Sequence, residues 1–201
     1  MKRERAVAAR VEGIAPFAVA LGLGLVLELG DKTQLATISL ATRHPRLPVF
    51  AGACLGLVAV TAVGAAVGAA LVVSLEAWLP AIKVGGGALF IALGAWTYVR
   101  KEEKKVAEDR RGAFATALAL NLVAELGDKS QLAVIVLAAT YAAPLSVFAG
   151  ASLALALIAA MSVLVGAALV RVLSAEWLRR VSTALFIAAG VLLILEAVLG
   201  G

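Results

Sequence analysis

This chain has 201 residues, of which 63% are hydrophobic, and its mean hydropathy is +1.02. That apolar share is well above the roughly 45–50% of an ordinary soluble domain, which excludes a water-soluble globular protein and leaves an integral membrane protein. The net charge of +5 comes from basic residues interleaved with acids and calls for no nucleic acid or acidic partner, while a lone cysteine, Cys54, excludes an intrachain disulfide.

Continuous apolar stretches predict six membrane helices: Ile14 to Ala41, Leu47 to Val73, Pro80 to Val99, Ala113 to Thr140, Pro144 to Val170 and Trp177 to Leu199. A short polar tail, residues 1 to 13, precedes the first. No cleavage segment follows the first apolar run, so a secretory signal peptide is not expected. That run, Ile14 to Leu27, has 14 residues, short of the roughly 20 a helix needs to cross hydrocarbon. The segment behind it, ELGDKTQLA from Glu28 to Ala36, must help complete the span. The turn holding His44 and Pro45 reads as solvated. Gly52 and Gly56, Gly64 and Gly68, and Gly85 to Gly87 read as sites of close helix packing. After the third helix comes a linker of mixed charge, Arg100 to Gly112. The fourth helix then carries ELGDKSQLA from Glu125 to Ala133, again behind too short an apolar run, with Asn121 one turn earlier as a candidate for bonding a neighbouring helix. Trp78, Trp96 and Trp177 fall near helix ends, where indole rings anchor at the interface, and Glu76 and Glu196 also lie near ends.

The repetition extends beyond the motif. Glu28 maps to Glu125 at an offset of 97, and Val49–Ala53 and Val67–Val72 map to Val147–Ala151 and Val165–Val170 at 98. The expected organisation is a first three-helix repeat at 1–99, the linker at 100–112 and a second three-helix repeat at 113–201. An odd number of helices per half sends the second half into the membrane from the opposite side. The predicted fold class is therefore all-α, with six transmembrane helices as two inverted three-helix repeats. Setting aside the two motif lysines, 11 basic residues fall on the linker's side and 5 on the other, which places the linker in the cytoplasm.

Six ionised groups at mid-membrane would cost about 15–20 kcal/mol before pairing, a heavy load for packing alone. In a continuous helix Glu28 and Asp31 share a face, as do Glu125 and Asp128. If the two motif segments face each other, these four acids converge on one oxygen-rich site suited to a hard divalent cation. Thr33, Ser130, Gln34 and Gln131 can add neutral oxygens. An unbroken helix makes Gln34 a better auxiliary than Thr33, and an unwound one reverses that order. Gly30 and Gly127 allow either a local unwinding or a close crossing. The plain alternative is ion pairing of Glu28 with Lys32 and of Glu125 with Lys129, which leaves two carboxylates over. Four carboxylates and two ammonium groups leave two net negative charges, which one divalent cation or two protons would neutralise. This suggests an electroneutral exchange of one cation for two protons.

Two copies of E-L-G-D-K-(T/S), each in the first helix of a three-helix half, resemble the Golgi-type manganese and calcium transporter family, which includes bacterial manganese exporters. The resemblance covers about Ile14 to Leu199. It implies alternating-access export of Mn2+ and/or Ca2+ in exchange for protons, with Glu28, Asp31, Glu125 and Asp128 on the ion and a lesser role for Thr33 and Ser130. It also implies no resident cofactor, the metal being cargo. The expected partners are a divalent metal ion, protons and the lipid bilayer, in the cell membrane and without nucleic acid. The chain lacks the long acidic central loop of some eukaryotic relatives. An intramembrane enzyme is not expected, because the chain has no H-E-x-x-H, C-x-x-C or G-x-S-x-G motif. The alternatives are an exporter of an organic cation or amino acid with similar architecture, and a subunit that uses the charges to dock a partner.

Overall fold

The computed structural model describes residues 2–74, 79–99, 112–172 and 175–199, and every regular element among them is helical. The order is α1 (Lys2–Glu28), α2 (Lys32–Arg43), α3 (Arg46–Ser74), α4 (Leu79–Val99), α5 (Ala113–Glu125), α6 (Lys129–Tyr141), α7 (Pro144–Val172) and α8 (Ala175–Leu199). Most of the linker (100–111), Glu76 and Trp78 lie outside the described residues, as do the side chains of 165–170.

The expected single helices Ile14 to Ala41 and Ala113 to Thr140 are each broken in two. The cause is local: Gly30 has φ +79° and Gly127 has φ +75°, left-handed values that end a right-handed helix and suit a residue without a β-carbon. Between Ile14–Glu28 and Thr33–Arg43 the axis bends by 67°. No atom lies within 4 Å of where a β-carbon at Gly127 would stand, so this glycine serves the backbone turn and not a close crossing. The remaining boundaries follow ordinary rules. Pro45 follows the end of α2, and α6 stops at Ala142 in the left-handed region, with Pro144 opening α7 where its missing N–H costs nothing.

Among the described residues two helices, Arg46–Val73 and Pro144–Leu164, are long and apolar enough to cross a membrane, and three if the bent pair counts as one span. These long helices, α3 and α7, pack on each other, and each also receives a helix from the other half of the chain: α1 lies on α7 and α5 on α3. Glycine makes both contacts possible. A β-carbon at Gly52 would collide with the Phe114 carbonyl, and one at Gly150 with that of Phe17. The remaining pair, α4 and α8, cross where a β-carbon at Gly87 would stand 2.6 Å from the Gly190 carbonyl. The segment ALFIA occurs in both, at 88–92 and 184–188, and its two phenylalanines, Phe90 and Phe186, meet edge to face at 5.6 Å in full burial. Near one end of this crossing Lys83 pairs with Glu196 at 2.6 Å. Large apolar side chains such as Leu145, Leu164, Val73 and Val198 point outward.

Candidate metal centre

Both helix breaks are finished by the same device. A chain that stops hydrogen-bonding to itself leaves backbone groups to satisfy. The Asp31 N–H bonds the Glu28 carbonyl and the Asp128 N–H that of Glu125. The glycine N–H in each break donates to a glutamine four residues on: Gly30 to Gln34 Oε1 at 2.5 Å and Gly127 to Gln131 Oε1 at 2.6 Å. Both glutamine carbonyls thus face the breaks and hold their shape.

The breaks place Glu28 and Glu125 at the last residues of α1 and α5, and Asp31 and Asp128 at the N-caps of α2 and α6. A shared helical face, the arrangement expected from i, i+3 spacing, is therefore replaced by a corner between two helices. One carboxylate oxygen from each of Glu28, Asp31 and Glu125 falls within 4.8 Å of the others, and all three residues are buried. Asp128 stands differently: half-buried, it accepts from the Lys129 N–H and caps its own helix. Asp31 makes no such cap bond.

The hydroxyls are unevenly shared. Ser130 donates to Glu125 Oε2 at 2.5 Å, and Thr33, from the other motif copy, donates to Glu125 Oε1 and lies 3.4 Å from Asp31 Oδ2. The unwound segment thus brings Thr33, and not Gln34, to the carboxylates. Glu28 Oε1 is buried without a hydrogen-bond partner. Since a buried carboxylate oxygen normally has a donor, an acceptor left open among two other acids is suited to a cation. Lys129, the first residue of α6, reaches across to pair with Asp31 Oδ1, its side chain 14% exposed. A small cavity lined by Leu57, Val60, Thr61, Ser130 and Leu155 adjoins Glu125. Lys32 side-chain placement lies outside the described residues.

One turn from this centre, Asn121 donates to Thr37 Oγ1 at 3.2 Å and to the Ala117 carbonyl at 2.8 Å, and so ties α5 to α2. Asn121 thus bonds the neighbouring helix, while its partner Thr37 went unmarked in sequence because its only signal is a hydroxyl in an apolar run. Asn121→Leu removes the tie and strands the Thr37 hydroxyl. The expected result is a loss of about 1 kcal/mol, read as a lower unfolding temperature in detergent.

The family model described as "Divalent cation/proton antiporter GDT1" matches residues 16–105 and 113–200. A protein of Vibrio cholerae serotype O1 named "Putative manganese exporter" is 28% identical over 178 residues, spanning 85% of this chain and 86% of that protein. A GDT1-like protein of Synechocystis is 32% identical over 152 residues, spanning 63% of this chain and 71% of its own length. No solved structure matches. The match spans both motif copies and nearly all the helices, so the chain belongs to the GDT1 family of divalent cation/proton antiporters, which are membrane transporters and not enzymes.

Proposed function

We propose that the protein exports Mn2+ and/or Ca2+ across the cell membrane in exchange for protons, by alternating access between two inverted repeats, 1–99 and 113–201, with the linker in the cytoplasm. The observation that carries this reading is the buried meeting of Glu28, Asp31 and Glu125, acids drawn from both motif copies. Each broken pair, α1 with α2 and α5 with α6, then counts as one span, which makes six. Manganese is favoured over calcium by the name of the Vibrio relative.

In this reading Glu28, Asp31 and Glu125 hold the ion as hard oxygen ligands, and Asp128 borders the site. Thr33 and Ser130 steady Glu125, while Gln34 and Gln131 support the site through the breaks. Three carboxylates and the Lys129 ammonium leave two net negative charges, so one divalent ion or two protons complete the neutralisation. A charged pocket is costly to carry through hydrocarbon and a neutral one is not, which couples the two fluxes.

The test is metal-driven proton movement in proteoliposomes at clamped membrane potential. Mn2+ or Ca2+ should drive proton counterflow without net current. A current that reverses with metal flux would exclude one-for-two exchange, and proton movement driven by lysine but not by metal would indicate an organic-cation exporter.

A further inference from the structure

The cluster already contains a cation of the protein's own. Lys129 belongs to the second motif copy, yet its ammonium pairs with Asp31 of the first, whose side chain is 1% exposed. Asp31 Oδ1 is thus covered by an ammonium inside a group of carboxylates whose oxygens lie within 4.8 Å of one another. A divalent ion coordinated by Asp31 would share that carboxylate with a like charge at very short range, where repulsion in a poorly solvated site is large. Lysine suits such an arrangement. Its compact head sits on a flexible four-carbon stem, so it can leave without dismantling the helix that carries it.

We infer that Lys129 is a tethered competitor for the transported ion. It holds Asp31 while the site lacks metal, gives up that carboxylate without leaving the cluster when a divalent ion enters, and takes it back to help expel the ion. This rests on the proposed metal site. Lys129 acts here as a positioning and affinity-setting residue and is not a ligand. A competitor that never diffuses away keeps affinity moderate, so that the ion can be released and not only captured.

The experiment is calorimetric titration of Mn2+ into detergent-purified protein at fixed pH and salt, comparing wild type with Lys129→Met and Lys129→Arg. Methionine keeps the length and removes the charge, so Mn2+ binding should tighten about tenfold or more while the maximal transport rate in vesicles falls. Arginine keeps the charge and grips a carboxylate with two parallel bonds, so binding should weaken about threefold or more. A merely structural lysine would weaken binding in both variants. Unchanged or weaker binding in Lys129→Met overturns the inference. Should that variant fail to fold, Lys129→Gln, which likewise removes the charge, decides, and unchanged or weaker binding there overturns it. A wild-type protein that binds neither Mn2+ nor Ca2+ would instead refute the metal site itself.

Discussion

Glu28→Gln should abolish metal-driven proton movement and yet leave a metal-free protein that melts at a higher temperature than wild type. The two halves of that result have one cause. Glu28 Oε1 is buried, lacks a donor and faces two other carboxylates, so its charge is unfavourable until a cation arrives. Glutamine has nearly the same volume, removes one charge and offers an amide that can donate to the neighbouring acids. Losing one charged ligand of a buried ion costs about 3 kcal/mol or more, on the order of a hundredfold in apparent affinity. Glu125→Gln should lose transport to the same degree without the thermal gain, because Glu125 already accepts from Thr33 and Ser130. Transport assays in vesicles and melting curves in detergent check both variants. Equal transport in wild type and both variants would dismiss the site.

Gly127→Val should cripple transport without touching an acid. A valine at φ +75° is a conformational outlier, and since nothing stands near the position of its β-carbon, the penalty is purely one of backbone. The cost is about 2 kcal/mol, which as a shift toward a continuous helix is roughly a thirtyfold loss of the competent population. A continuous helix would swing Lys129 and Ser130 off the cluster. Gly127→Asn is the control: asparagine visits left-handed conformations, so most of the transport should survive. Equal loss in the two variants, measured as initial rates in vesicles, would show that the turn does not matter for its conformation. Gly30 at φ +79° predicts the same pattern in the first copy.

Much of this organisation is legible in the sequence, and the parts that are not have identifiable reasons. Apolar runs mark the helices because hydrocarbon demands length, and the duplicated ELGDK draws attention to Glu28, Asp31 and Glu125 because buried acids are costly. The interruption of both motif helices is not legible, because a glycine between two acids permits a crossing as readily as a turn. Gln34 and Gln131 look like spare ligands until the helix is known to end at the glycine four residues earlier, where each becomes the partner of an otherwise stranded N–H. Lys129 looks like the i+4 companion of Glu125 as long as the helix is continuous. Its pairing with Asp31 joins residues 98 apart and is set by how the two breaks dock. Asp128 matches Asp31 in sequence and yet caps its own helix, so equivalence in a repeat does not dictate equal use.

The exchange of helices between α1 and α7, and between α5 and α3, also bears on biogenesis. During synthesis α1 leaves the ribosome more than a hundred residues before α7, the surface it will rest on, so the first copy of the motif is made long before that cover exists. Fragments ending before α5 would leave the glycine face of α3 uncovered, and quality-control proteases should clear them quickly. The fold is thus expected to close late, once α7 has been made.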